Sequence, residues 1–286
     1  MSGQIWTWFD GEWREGNVPI VGAADHGAWL GSLVFDGARS FSGRAPDLEA
    51  HCARVNASAL TMGFDPVMSD EDIVGLAREG LKKFGPNAET YIRPMIWPTR
   101  GGESMVAPDR TSAKFALCIE ARQMPEPFGV TLTTTQFRRP TPNSAPTTAK
   151  AGCLYPNNAR MLAEANAKGF QNAISQDPIG NVAETATSNI FMVKDGVVMT
   201  PMANGCFLAG ITRSRTIGLL RDDGVEVQEK TLSIDDFRDA DEIFTSGNAQ
   251  KIMHATKFED RHLQWGPLSR RARELYWDWS AGTAAV

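Results

Sequence analysis

Met124-Pro-Glu-Pro-Phe-Gly129 carries two prolines and a glycine in quick succession, and the sequence pattern differs on its two sides. Proline removes a backbone donor and biases its predecessor toward extended backbone, so the stretch reads as a domain junction. Working back from it, Ala113–Glu120 and Tyr91–Trp97 have the β-branched and aromatic content of strands. Leu48, His51, Val55, Ala59 and Met62 recur at helical spacing over 47–62, and Ser69 with Asp72 resembles a capping box opening a helix through Leu81. Leu33-Val34-Phe35 leads through Asp36-Gly37 to Phe41. The first residues, Ile5–Trp13, fold around Asp10-Gly11 as a hairpin.

Working forward, Val130, Leu132 and four threonines predict a strand, followed by a proline-rich loop over Pro140–Pro146. Pro156 suits the first turn of a helix that Gly169 stops. Ile190–Val193 and Val197–Thr200 flank Asp195-Gly196 as a second hairpin. A helix over Thr212–Arg221, strands over Val225–Gln228 and Glu242–Thr245, and a last helix over Leu268–Trp279 complete the chain. Strands in both halves with helices between them predict a two-domain α+β protein of mixed α/β character. The boundaries are 1–122 for the first domain, 123–129 for the linker and 130–286 for the second.

The 286 residues are 42% hydrophobic and 22% charged with a net charge of −5, enough apolar content for a core and no electrostatic case for nucleic acid or an anionic membrane. No stretch approaches the roughly 20 apolar residues that span a bilayer. The N-terminus lacks a basic start and an apolar run, and the four cysteines form no C-x-x-C pair. A cytoplasmic protein with free thiols is the expectation. G-x-G-x-x-G, Walker, G-x-S-x-G and H-E-x-x-H patterns are absent, and His26, His51, His254 and His262 lack metal-ligand spacing. No metal is expected, and the histidines read as surface or structural.

Three segments carry chemistry. Thr147-Thr-Ala-Lys150-Ala-Gly-Cys-Leu-Tyr155-Pro-Asn-Asn places a lysine among small residues between a loop and a helix. Gly180-Asn-Val-Ala-Glu184-Thr-Ala-Thr-Ser-Asn189-Ile-Phe places a glutamate before an apolar strand. Phe207-Leu-Ala-Gly210-Ile211-Thr212-Arg starts a helix whose N–H groups and hydroxyl could meet a phosphate, although helix capping explains the threonine equally well. Alone, such a lysine is usually a surface residue and such a glutamate an ordinary strand-edge residue.

In order and spacing these segments resemble the fold-type IV pyridoxal-phosphate enzymes, over nearly the whole chain. The pattern is most similar to branched-chain aminotransferases: Phe35-Asp-Gly-Ala-Arg39, His51-Cys-Ala-Arg54, Tyr91-Ile-Arg93-Pro, Ala149-Lys150-Ala-Gly, Glu184, Gly210-Ile-Thr and Ser246-Gly-Asn-Ala249. The resemblance implies a small N-terminal α/β domain and a larger C-terminal domain with a β-barrel-like core that binds pyridoxal 5′-phosphate. It makes Lys150 the Schiff-base lysine, Glu184 the partner of the pyridine nitrogen and Tyr155 a donor to the phenolic oxygen. Arg54, Ile211, Thr212 and Asn248 would hold the phosphate; Asn248 stands where the family usually has threonine. Phe35, Gly37, Arg39, Tyr91, Arg93 and Ala249 would bind substrate. The implied reaction is ping-pong transfer of an amino group from a branched-chain or other apolar L-amino acid to 2-oxoglutarate through a Lys150 aldimine, in a homodimer. Within the same fold, (R)-amine or D-amino acid transamination and aminodeoxychorismate lysis are the alternatives. Two departures, Glu184-Thr-Ala-Thr and Met253-His254-Ala, bear on the substrate pocket.

Overall fold

The computed structural model describes residues 3–285 and divides into two compact units. The first comprises 3–124, Ala149–Cys153 and 281–285. The hairpin of β1 (Ile5–Phe9) and β2 (Glu12–Glu15) turns on Asp10 and Gly11, both at positive φ as a two-residue hairpin of this twist requires. A short α1 (His26–Trp29) precedes β3 (Val34–Phe35) and β4 (Ala38–Ser40). Two helices follow, α2 (Leu48–Thr61) and α3 (Asp70–Leu81), then the long strands β5 (Thr90–Pro98) and β6 (Ala113–Ala121). The sheet order is β2-β1-β6-β5-β3, with β4 also paired to β5.

α3 starts where its cap predicts: the Ser69 hydroxyl accepts from the Asp72 N–H at 3.1 Å. α2 starts differently, with Asp47 at φ 60° and no side-chain cap. The apolar faces of α2 and α3 (Leu48, Cys52, Val55, Ala59, Ile73, Ala77) close on Ile92, Ile96, Leu117 and Ile119 from β5 and β6. Alternation along β5 therefore puts Ile92 in the core and leaves Tyr91 and Arg93 on the other face, half-buried.

Lys150 belongs to this unit. Ala151 bridges Val34, the Phe35 N–H donates to the Lys150 carbonyl at 3.1 Å, and the Gly152 N–H donates to the Leu33 carbonyl at 2.8 Å. Residues 130–286 accordingly do not cluster as one continuous unit, because backbone pairing draws Ala149–Cys153 to β3.

The second unit comprises Pro125–Thr148 and Leu154–Ser280. Its strands are β7 (Val130–Arg138), β8 (Asn172–Gln176), β9 (Val182–Thr185), β10 (Asn189–Lys194), β11 (Val197–Pro201), β12 (Val227–Lys230), β13 (Glu242–Gly247), β14 (Lys251–Phe258) and β15 (Arg261–His262). The helices are α4 (Tyr155–Ala167), α5 (Ile211–Asp222), α6 (Ile234–Asp239) and α7 (Pro267–Ala281). The sheet runs β12-β11-β10-β13-β14-β7-β8-β9, with β15 on β14. It curls until β9 contacts β10, giving a half-barrel filled by Leu132, Ile174, Ile190, Ile243, Ala255 and their neighbours. Pro156 and Gly169 bracket α4, and Asp195-Gly196 turns the β10–β11 hairpin, as the sequence predicts. The sequence reading missed β8, β14 and the capped helix α6. β8 pairs parallel to β7 and β14 pairs parallel to β7 from the other side, so neither is announced by a tight turn to that partner.

Candidate active site

In the first unit, the turn from β3 to β4 exposes none of Asp36, which is wholly buried. Its carboxylate accepts from Arg54 twice, Nε at 2.6 Å and Nη2 at 2.9 Å, and meets His51 Nδ1 at 2.7 Å. His51 and Arg54 can converge because they lie three residues apart on α2 and so share a face. Burial would raise the Asp36 pKa, but the opposite charges of Arg54 and His51 and their hydrogen bonds hold it far below the ordinary carboxylate range. His51 is thus a structural histidine, and no cluster able to hold a metal occurs among the described residues.

The Asp36 carboxylate also accepts from the Gly37 N–H at 2.7 Å. Gly37 has no alternative side chain available, because a Cβ there would run into the Tyr91 hydroxyl. Arg93 stacks on the Tyr91 ring, its guanidinium carbon 5.0 Å from the centroid, and reaches Glu120 at 3.8 Å. Arg39 lies almost wholly buried and donates to the carbonyls of Arg122 and Gln123 at 3.2–3.3 Å. Its guanidinium is therefore a strut beneath residues 122–124. Lys150 is held by its backbone on both sides: its N–H donates to Ser58 Oγ at 3.0 Å, and its carbonyl accepts from Phe35. The Lys150 Nζ lies 5.0 Å from the Phe35 ring centroid.

In the second unit, Glu184 sits buried on β9. Asn189 Nδ2 donates to its Oε2 at 3.2 Å, and Arg139 Nε lies 3.4 Å from its Oε1. Arg139 is itself buried and tied to the Cys206 carbonyl and to Asn158 Oδ1, at 3.2 and 2.6 Å. Asn189 Nδ2 also donates to the Leu208 carbonyl at 3.0 Å, and a Cβ on Gly210 would run into its Oδ1. One asparagine thereby joins Glu184 to the segment that starts α5. Gly210 is the N-cap of that helix with no side-chain cap, so the N–H groups of Ile211 and Thr212 have no intrahelical acceptors. Asn189 pairs with Ser246 across β10 and β13, which brings Asn248 and Ala249, just past β13, to the same end of the half-barrel. The Asn248 Nδ2 is buried without a hydrogen-bond partner. Tyr155 opens α4, partly exposed.

Asp36, Ser58, Arg139, Asn189 and Lys251 escaped the sequence reading. Asn189 lay inside a quoted motif, but nothing local distinguishes its amide from a strand residue. Arg139 follows another arginine, Arg138, and only burial separates the two.

A family model described as "Amino-transferase class IV" matches residues 33–258. The chain belongs to this family. Among relatives of the class IV aminotransferases, the branched-chain-amino-acid aminotransferase of Escherichia coli is 30% identical over 95% of this chain and 91% of its own. A crystal structure of a Brucella abortus aminotransferase bound to pyridoxal phosphate superposes with a TM-score of 0.97 at 58% identity, covering 98% of this chain and all of that one. The branched-chain aminotransferase of Thermoproteus uzoniensis with norvaline gives 0.89 at 28% identity, covering 98% and 96%. The residues of this class IV chain fit pyridoxal phosphate by their chemistry. In the second unit a helix N-terminus and the unpartnered Asn248 amide suit a phosphate and the braced Glu184 carboxylate suits a pyridine nitrogen; in the first, the half-buried Arg54 guanidinium suits an oxyanion.

Proposed function

We propose that this chain is a pyridoxal-phosphate-dependent transaminase that moves an amino group from a branched-chain or other apolar L-amino acid to 2-oxoglutarate with ping-pong kinetics. The observation that carries the reading is the anchoring of Lys150, whose N–H and carbonyl are both hydrogen-bonded within a segment of small residues. A fixed backbone aims one amine, which is what a covalent cofactor anchor and proton carrier needs.

When bound, the cofactor supplies an electron sink for cleavage at the substrate Cα. Lys150 Nζ would anchor the cofactor and, once the incoming substrate amine has taken its place, would as the free amine carry the proton away from Cα. Glu184, kept in place by Asn189 and Arg139, holds the proton on the ring nitrogen. Tyr155 donates to the phenolic oxygen. Arg54, the N–H groups of Ile211 and Thr212, the Thr212 hydroxyl and Asn248 bind the phosphate. Phe35 and Tyr91 form apolar walls, Gly37 keeps the space in front of Tyr91 open, and Arg39 shapes that wall through residues 122–124. Arg93 and the Ala249 N–H favour the substrate carboxylate. The names of the E. coli and T. uzoniensis relatives, and the norvaline in the latter, support an apolar aliphatic substrate. A cytoplasmic homodimer is part of the same reading. No helix among the described residues is long and apolar enough to cross a membrane.

The test is a spectrum of purified enzyme. L-leucine should remove the visible absorbance of lysine-bound cofactor, and 2-oxoglutarate should restore it. A spectrum unchanged by L-leucine and L-valine but bleached by D-alanine or (R)-1-phenylethylamine would overturn the substrate assignment. Persistence of that absorbance in Lys150→Ala would overturn the lysine assignment.

A further inference from the structure

Lys251 is a lysine with no exposed surface, at the first position of β14, with backbone φ of 56°. Both features are unfavourable. Burying an ammonium is costly unless it is well bonded, and the left-handed region strains any residue with a Cβ. A glycine or a neutral side chain would relieve each, so the amine itself has work to do at this place. Its Nζ lies 2.6 Å from Asn248 Oδ1, the length of a charge-assisted hydrogen bond, and 5.7 Å from the Tyr276 ring centroid.

A carboxamide has one acceptor end and one donor end, and an ammonium only donates. Lys251 therefore decides which way Asn248 faces: Oδ1 toward the lysine, both N–H bonds of Nδ2 away from it. That Nδ2 is the buried donor without a partner, at the end of the half-barrel where Asn189 links β13 to the start of α5. The threonine usual at position 248 in branched-chain aminotransferases needs no such guide, since a hydroxyl rotates freely and can both donate and accept. An asparagine there could equally turn its carbonyl toward an anion and repel it.

We propose that Lys251 is a positioning residue for the cofactor's phosphate, acting by fixing the Asn248 carboxamide as a donor. The proposal rests on Asn248 being a phosphate ligand. It explains the departure from threonine as one half of a pair, Asn248 with Lys251, in which the second residue supplies the orientation the first lacks. Lys251 also places a positive charge behind the amide, which strengthens the Nδ2 donor toward an oxyanion by polarisation.

The experiment titrates full-length apoenzyme with pyridoxal phosphate and, separately, with pyridoxal, which lacks the phosphate. Dissociation constants are read from cofactor absorbance, and thermal unfolding of each apoenzyme is recorded. Lys251→Met should weaken pyridoxal phosphate about tenfold, the scale of one hydrogen bond to a charged group, and leave pyridoxal within about twofold. Lys251→Gly, which suits the left-handed backbone, should give the same selective loss even if the methionine variant folds poorly. In an Asn248→Thr background either substitution should have little effect. Equal loss for both ligands, or the same loss with threonine at 248, would overturn the proposal. Asn248→Ala separates the two layers. If it weakens pyridoxal phosphate selectively while the Lys251 variants do not, the positioning role alone fails. If it too leaves pyridoxal phosphate binding intact, Asn248 is no phosphate ligand and both assignments fall.

Discussion

Asp36 grips Arg54 with both carboxylate oxygens, at 2.6 and 2.9 Å, so the guanidinium assigned to the phosphate arrives already oriented by a buried anion. The fork geometry of arginine makes this possible, because Nε and Nη2 lie on one edge of the planar guanidinium and meet both oxygens of one carboxylate. The pair also carries stability, and its loss has a defined pH signature.

Asp36→Asn should destabilise the protein by about 3 kcal/mol, because it removes the wholly buried carboxylate that pairs with the half-buried Arg54 and with His51. The Asp36 pKa is depressed in the folded state, so its contribution is complete above the unfolded carboxyl value near 3.9 and disappears as pH falls through the lower folded value. Denaturant unfolding should therefore separate wild type from Asp36→Asn by a constant amount at neutral pH, with the gap narrowing only below about pH 4. A gap that closes at pH 6 would contradict the assignment.

Glu184→Gln should fold, since a glutamine carbonyl can still accept from Asn189. Its kcat should drop by roughly a hundredfold or more, the scale on which a misplaced proton costs catalysis. Lys150 would still capture the cofactor, so the visible absorbance should survive while steady-state turnover is lost. An unchanged kcat would show that Glu184 does not govern the ring nitrogen.

Gly37→Ala sets a Cβ against the Tyr91 hydroxyl. Overpacking of this kind costs about 1–3 kcal/mol, and the displaced ring should also raise the KM for L-leucine. Adding Tyr91→Ala removes both the hydroxyl and the ring carbon that the Cβ would strike, so the double variant should lose less stability than the sum of the two single losses. Additive losses, measured as a double-mutant cycle by thermal unfolding, would place the strain elsewhere.

His254 stacks on Trp265 with ring centroids 4.5 Å apart, and Gly129 approaches the imidazole so closely that a Cβ would strike it. Burial lowers its pKa, and the charges of Arg273 and Arg270 lower it further. The folded state thus binds fewer protons than the unfolded one below the unfolded value near 6.5, and stability should decline as pH falls from there toward the folded pKa. His254→Gln should remove that slope below about pH 6.5 in denaturant unfolding while leaving stability at pH 8 nearly unchanged.

Elements specified by neighbouring residues were legible in the sequence. The Asp10-Gly11 and Asp195-Gly196 turns, the Ser69 cap and the Pro156–Gly169 bounds of α4 depend on backbone preferences and on side chains a few positions away. So does the placing of Lys150 among small residues before a helix, and the order of chemistry-bearing segments that marks the family. What only the tertiary structure decided is who braces whom. The Arg54–Asp36–His51 cluster, the Arg139–Glu184 and Asn189–Glu184 contacts, the pairing of β14 with β7 and the return of Ala149–Cys153 to β3 all join residues from different elements. Arginine, asparagine and lysine look like surface residues in a sequence. Burial alone turns them into obligatory partners, because a polar group removed from water must find its hydrogen bond inside the protein.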